Sequence, residues 1–218
     1  MRFSLLQFVC WFGLLVLSNA CKNSIHIDQS QVKEVLTAYG KENPETTVVI
    51  ETGLGNVEIK LYNETPLHRA NFIRNVKMGY YTDRNFYRIV KGVCVQGGSQ
   101  IDPQNFTIPA EFRPNLIHKK GTIAMARYTD NNPEKQSSPT EFFIITKGKY
   151  YNEEELANYP AELKKIYLEQ GGEIEFDNQY TVFGEVTKGL EIIEKIGKDQ
   201  VIDKEKPVHQ VKFSIKVN

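Results

Sequence analysis

From residue 47 onwards, hydrophobic and polar positions alternate in short runs with the period of two that is typical of β-strands. The runs 47–51 and 57–62 flank a glycine-containing turn at 53–56 and predict a β-hairpin. Six further runs of the same kind follow, at 85–90, 93–96, 122–127, 142–146, 181–186 and 208–217. Eight short strands joined by turns predict an all-β domain whose strands close into an antiparallel barrel.

Two segments change to the spacing of three and four residues that is typical of an amphipathic helix. The first follows Thr65 and Pro66, which suit the cap and the first position of a helix, and it ends at Gly79. The second lies at 189–197 and begins and ends with a glycine. We therefore expect two helices that cap the barrel.

One segment, 150–172, does not fit a compact barrel and predicts a helical insertion. It starts with three consecutive glutamates from Glu153, continues with Leu163, Ile166 and Tyr167 at helical spacing, and ends at two glycines. Carboxylates are favoured in the first turn of a helix, which is a simpler interpretation of the glutamates than a metal site. A docking arm for a partner protein is a further hypothesis for this insertion.

The first twenty residues have a different character. Arg2 is followed by an apolar run of 13 residues at 5–17, broken only by one glutamine. A membrane-spanning helix needs about 20 apolar residues, so the run predicts a signal peptide at 1–20 rather than a buried helix. Residues 18–21 (SNAC) resemble the lipobox of bacterial lipoproteins, which implies cleavage after Ala20 and lipidation of Cys21. Cleavage without lipid is the alternative.

The segment 21–46 is polar, with Gly40 and Pro44 as breakers. It is interpreted as a lipidated N-terminus and a tether, with a short helix at about 31–39, ahead of a domain at 47–218. The implied location is extracytoplasmic, with the protein attached to a bacterial membrane through its lipid.

Composition excludes several classes of function. The chain has 27 Lys+Arg against 27 Asp+Glu and a sequence pI of about 6.9, so it lacks the basic excess of nucleic-acid-binding proteins. Its four histidines are scattered, without the spacing of metal ligands. We therefore expect no nucleic acid, no metal ion and no cofactor, and a monomeric protein.

Cys94 is the cysteine that remains once Cys10 leaves with the signal peptide and Cys21 carries lipid, which excludes an intramolecular disulfide. It could act as a nucleophile only if the fold brings a base to it. A small buried hydrophobic residue is the simpler interpretation.

The densest chemical signal surrounds Arg88. Strict alternation places Phe86, Arg88 and Val90 on one face of a strand, so a cation stands among apolar neighbours. A guanidinium in such a place needs an ion pair or a task. From the residues alone, a structural salt bridge and a functional role both remain open.

The run 86–98, FYRIVKGVCVQGG, resembles the signature of the cyclophilins, F-H-R-(aliphatic)2-x-x-F-M-(aliphatic)-Q-G-G. Similar blocks extend over 47–217, including VVIETGLGNVEIKLY, TPLHRANFIRNVKMGYY, GTIAMAR, TEFFIIT and QYTVFGEVTKGLEIIEKI. The resemblance implies an eight-stranded barrel with two helices and peptidyl-prolyl cis/trans isomerase activity. Its substrates would be proline-containing polypeptides, and its role would be to assist the folding of exported proteins.

The resemblance also implies a set of site residues. The residues implied to be catalytic are Arg88, Gln96 and Phe143. Those implied to bind substrate are Tyr87, Val93, Cys94, Ala126, Arg127, Glu141, Phe176 and Tyr180. In this scheme Arg88 donates a hydrogen bond to the prolyl nitrogen as the amide twists, while a dry pocket holds the pyrrolidine ring.

Several positions depart from the family pattern. Val93 replaces a customary Phe, and Glu175 falls where many members have Trp, which weakens the walls of the proline pocket. Glu141 replaces a customary Gln and could pair with Arg88 or Arg127. We expect activity that is lower or differently selective. The alternative is a catalytically weak module that binds proline-containing segments in the same groove, as a chaperone.

Overall fold

The computed structural model describes residues 27–98, 104–146 and 151–218, and within them eight antiparallel strands close into one barrel. The barrel strands are β1 (Thr47–Thr52), β2 (Gly55–Leu61), β3 (Arg84–Val90), β4 (Cys94–Gly98), β5 (Thr122–Met125), β6 (Phe142–Ile145), β7 (Val182–Lys188) and β10 (Val211–Val217). Their order around the barrel is β1-β10-β3-β4-β6-β5-β7-β2. Two short strands, β8 (Val201–Ile202) and β9 (Lys206–Pro207), pair separately. The predicted closed barrel is confirmed, and its strands start and end within three residues of the predicted runs.

The inner face of the barrel is filled by the apolar half of each alternating strand. Members of this core include Ile50, Ile59, Ile144 and Phe213, which are almost completely buried. The helices α2 (Pro66–Lys77) and α4 (Leu190–Gly197) are those predicted from the helical spacing. They add Phe72, Ile73, Ile193 and Ile196 to the same core. Both predicted helices therefore cap the barrel, and in the described part of the chain two further α-helices lie outside it.

A β-bulge in β3 separates Arg88 from the barrel interior. The pairing of β3 with β4 steps from Phe86–Gly97 to Arg88–Gln96, so Tyr87 is an extra residue. Phe86 belongs to the buried core, whereas Arg88 lies on the outer face. The expectation that Phe86 and Arg88 share a face is wrong, because one bulge residue inverts the alternation.

The N-terminal helix α1 (Val32–Glu42) is docked on the domain. Val32 and Leu36 are completely buried in a cluster with Leu67 and Ala70 of α2. The predicted short helix is present, but residues 27–46 are not the free tether that was expected, because this apolar stripe covers α2. The predicted signal peptide and Cys21 lie outside the described residues. Among the described helices, none is long and apolar enough to cross a membrane.

The insertion contains the helix α3 (Ala161–Gln170), which starts after Pro160 and ends at Gly171. Glu153, Glu154 and Glu155 precede this helix in a turn. There the backbone N–H of Asn152 donates to the side chain of Glu155, and the backbone N–H of Glu155 donates to the side chain of Asn152. The expectation that these glutamates form the first turn of the helix is wrong, because the chain turns before Pro160. Across the described ranges, no three metal-ligating side chains come together.

Candidate active site

The three residues predicted to be catalytic lie in one row on the outside of the barrel. The strand register pairs Arg88 with Gln96, and Gln96 with Phe143. The next pair in the row joins Phe143 to Ala124. The residues that follow or precede them along the strands, Ile89, Val95, Ile144 and Ile123, point into the core. The barrel thus places a cation, an amide and an aromatic ring side by side on three neighbouring strands.

The aromatic end of the site consists of Phe143, Phe176, Tyr180 and His118. Phe176 and Tyr180 approach the ring of Phe143 edge-on, with centroids 5.6 Å and 5.3 Å away. Cys94, Ala124, Ala126 and Val182 pack in the same cluster, and Val93 covers part of it. An apolar wall of this kind suits a saturated ring such as that of proline.

His118 supports Phe143 and was missed from the sequence. Its ring stacks on Phe143 at 6.2 Å and 13°, and its side chain is 1% exposed. Nδ1–H donates to Asp177 at 2.8 Å, and the backbone N–H of His118 donates to the same oxygen. The other oxygen of Asp177 accepts the hydroxyls of Tyr159 and Tyr167, at 2.9 Å and 2.7 Å. The insertion therefore reaches the site in part through this carboxylate.

Those two hydroxyls remain donors over the whole physiological range. Burial, followed by the charge of Asp177, raises the pKa of Tyr159 and of Tyr167 above the ordinary value. A tyrosine that keeps its proton donates to a carboxylate rather than repelling it. Asp177 is thus held by four hydrogen bonds while about 10% of its side chain is exposed.

The polar end of the site is a chain of hydrogen bonds that starts at Arg88. Its Nη1–H donates to Oε1 of Gln96 at 3.0 Å, and Nε2–H of Gln96 donates to the hydroxyl of Tyr87 at 2.6 Å. Tyr87 in turn donates to Glu141 at 2.7 Å. Burial, then the charge of Glu141, raises the pKa of Tyr87, which keeps its proton in place. Glu141 therefore accepts from Tyr87, and not from Arg88 or Arg127 as the sequence suggested.

Glu205 completes the polar end, and nothing in the sequence pointed to it. It lies in a one-turn 3-10 helix, Asp203–Glu205, between β8 and β9. One oxygen, Oε2, accepts a hydrogen bond from Nε–H of Arg88 at 2.7 Å and lies 2.6 Å from Nη2 in the ion pair. The side chains remain 44% and 40% exposed, respectively. Arg88 therefore has the ion pair that the structural interpretation predicts and also an accessible guanidinium, and its functional role stays a prediction.

Arg127 contacts Gln179 and Tyr180, and Cys94 packs in the apolar cluster around Phe143. Nε–H of Arg127 donates to the backbone oxygen of Gln179 at 2.8 Å, and its guanidinium lies 5.1 Å from the ring centroid of Tyr180. Burial raises the pKa of the Cys94 thiol to about 12, so the thiolate is scarce at neutral pH. This favours the interpretation of Cys94 as a small buried hydrophobic residue. Glu175 is exposed.

Comparison with known proteins shows the family of this chain. A family model described as "Cyclophilin type peptidyl-prolyl cis-trans isomerase/CLD" matches residues 47–217. The chain belongs to this family. Two curated relatives show how far the likeness extends. Peptidyl-prolyl cis-trans isomerase A of Dickeya dadantii is 33% identical over 174 residues, covering 76% of this chain and 80% of the relative. A putative peptidyl-prolyl cis-trans isomerase of Staphylococcus aureus is 29% identical over 182 residues, covering 77% and 88%.

Solved cyclophilin structures share the fold of this chain. A cyclophilin-type isomerase of Cryptosporidium parvum superposes with a TM-score of 0.60 at 19% identity, over 80% of this chain and 98% of that one. A cyclophilin of Hirschia baltica gives 0.57 at 19% identity, over 85% and 80%. At this level of identity the likeness concerns the barrel alone. The family is therefore shown by the sequence match, and the architecture by both.

Proposed function

We propose that this cyclophilin accelerates rotation about X-Pro bonds in exported polypeptides, with Arg88 as the catalytic cation. The rotation has a barrier of roughly 18–20 kcal/mol because twisting the amide destroys its resonance. No bond is broken, so a catalyst has only to bind the twisted amide more tightly than the planar one. The observation that supports this role is the row of Arg88, Gln96 and Phe143 across adjacent strands.

Arg88 is suited to this task by the donors it keeps. A guanidinium has five N–H groups. Within the described part of the chain, Gln96 and Glu205 each accept one, from Nη1 and Nε, and Nη2 faces Glu205 in the ion pair. One N–H on Nη1 and one on Nη2 are then left for a substrate. As the amide twists, its nitrogen regains a lone pair, and a donor from Arg88 stabilises that lone pair.

The aromatic end would hold the pyrrolidine ring while the chain on one side of it turns. Phe143, the central ring of this apolar wall, is only 4% exposed, and the ring of His118 stacks on it. Val93 and Glu175 offer less apolar surface than the aromatic residues usual in the family. We therefore propose lower affinity for the ring, and hence lower activity or altered selectivity, relative to members with a complete aromatic wall.

The proposed site of action rests on the N-terminal sequence. The apolar run at 5–17 and the lipobox-like SNAC at 18–21 support export and lipid attachment at Cys21. Proteins that fold after export present X-Pro bonds whose uncatalysed isomerisation takes tens of seconds or more, which gives such an isomerase its task. Mass spectrometry of protein purified from membranes tests this part: a diacylglyceryl-modified Cys21 is expected, and an unmodified N-terminus would exclude the anchor.

The activity itself is tested by NMR exchange on a short X-Pro peptide, with Arg88→Ala and the matched control Arg113→Ala. Arg113 is another exposed arginine, bonded to the backbone oxygens of Glu64 and Phe112. We expect Arg88→Ala to lower kcat/KM about 10²-fold and the control to leave it unchanged. Equal rates for wild type and Arg88→Ala would rule out this role. Tight peptide binding without acceleration by the wild type would favour the binding-module alternative.

A further inference from the structure

We propose that Glu205 is a positioning residue for Arg88, an inference that rests on the proposed function. Glu205 lies 117 residues after Arg88 in the sequence, in the turn between β8 and β9. Its carboxylate fixes the rotation of the guanidinium and so determines where the two remaining Nη donors point. It does so without touching the substrate.

Glu205 and Gln96 together hold the guanidinium of Arg88. Nε–H of Arg88 donates to Oε2 of Glu205, which also lies within ion-pair distance of Nη2, while Nη1–H donates to Gln96. Two hydrogen bonds and the ion-pair contact, from two residues, define the plane of the guanidinium, whereas Gln96 alone would leave it free to rotate about a single bond. Because the arginine is 44% exposed, water would otherwise compete for these donors.

The backbone of Glu205 has an unusual conformation. Its φ is +60°, in the left-handed region that side-chain-bearing residues rarely adopt. Such a conformation suits glycine or asparagine better than glutamate, so a glutamate there indicates that the carboxylate itself is needed. The ion pair with Arg88 explains why a glutamate stands at this strained position.

The surrounding loop is fixed well enough to hold a carboxylate in place. At its base, Asp199 accepts the backbone N–H and Nδ1–H of His209, at 2.9 Å and 2.8 Å. At its tip, β8 and β9 pair as Val201–Pro207 and Ile202–Lys206. On the side of β3, Nζ of Lys91 donates to the backbone oxygen of Lys198 at 3.1 Å. The loop therefore presents Glu205 as a fixed support for Arg88.

The test compares two changes at Glu205 with a change at the neighbouring carboxylate. Glu205→Ala removes the support, and we expect kcat to fall about tenfold with KM nearly unchanged, since ring binding by Phe143 is untouched. Glu205→Gln keeps an oxygen that can accept the bond from Nε–H and should restore most of kcat. Asp203→Ala, which removes an exposed carboxylate of the same turn, should leave both constants unchanged.

A double-mutant cycle in the full chain separates this inference from the proposed function. In the Arg88→Ala background, Glu205→Ala should have no further effect on turnover, because there is no guanidinium left to orient. If Arg88→Ala slows turnover but Glu205→Ala leaves kcat unchanged or raises it, Glu205 is not a positioning residue and the proposed function stands. If Arg88→Ala itself has no effect, the proposed function fails first.

Discussion

The polar and aromatic ends of the site lie on adjacent strands but are built on different physical principles. Arg88 and Glu205 are about half exposed, so their ion pair is screened by water and contributes roughly 0–1 kcal/mol to stability. His118 and Asp177 are almost fully buried, so each hydrogen bond there keeps a buried polar group from losing its partner, which would cost stability. The difference predicts that changes at the polar end act mainly on the rate, and that changes at the aromatic end act mainly on the fold.

The largest effect on stability is expected for Asp177→Ala. This change leaves Nδ1–H of His118 and the hydroxyls of Tyr159 and Tyr167 without their acceptor. Removing one partner of such a buried network costs about 3 kcal/mol or more of the free energy of unfolding. Urea denaturation measures this loss, and Asp177→Asn, which keeps one acceptor oxygen, should lose less. A loss below about 1 kcal/mol would break the contrast between the two ends.

Tyr167→Phe tests whether the insertion contributes to the site or is only attached to it. The change removes one completely buried hydroxyl from Asp177 and keeps the ring, which should cost about 1–3 kcal/mol of unfolding free energy. It should also lower kcat/KM a few-fold, because His118 then supports Phe143 less firmly.

The matched control for Tyr167→Phe is Tyr151→Phe. Tyr151 lies in the same insertion but bonds Glu173 and Gly172, at 3.2 Å and 3.4 Å, and not Asp177. Peptide turnover should therefore be unchanged in Tyr151→Phe. Equal losses of turnover in both variants would show that the insertion acts only through general stability.

Cys94 tests the same comparison through the pH dependence of stability. Burial raises the pKa of its thiol from 9.0 to about 12 in the folded chain, against the smaller opposing effect of Arg88. The folded chain therefore holds this proton more tightly than the unfolded chain. Its contribution to stability is complete below pH 9.0 and is lost as the pH rises through about 12, by at most about 1.4 kcal/mol per pH unit.

The measurement is urea denaturation of wild type and Cys94→Ala between about pH 8 and about pH 11. The wild type should lose stability faster than the variant over this range. A constant difference between the two proteins would mean that the thiol is not desolvated. Parallel curves would also revive the idea of a reactive cysteine in the site.

The sequence predicted the barrel because alternation is a property of neighbouring residues, and the resemblance to cyclophilins placed Arg88, Gln96 and Phe143 on it. Alternation failed at Tyr87, since a bulge adds one residue to β3 without any sequence signal. It also failed to show that α1 docks, because two buried side chains, Val32 and Leu36, decide that contact within a polar segment.

The residues that position the site were beyond sequence reasoning for a different reason. Asp177 is 59 residues from His118, and Glu205 is 117 residues from Arg88. Each is a single acidic residue in a loop, where no period and no spacing marks it out. Only the closed barrel brings these carboxylates to their partners.

The central claim is that Arg88 acts on the rate of rotation and not on the fold. It is tested most directly by measuring NMR exchange on an X-Pro peptide and urea denaturation on the same preparation of Arg88→Ala. We predict that kcat/KM falls about 10²-fold while the free energy of unfolding changes by less than about 1 kcal/mol. An unchanged rate, or a lower rate accompanied by a loss of several kcal/mol in stability, would contradict the account.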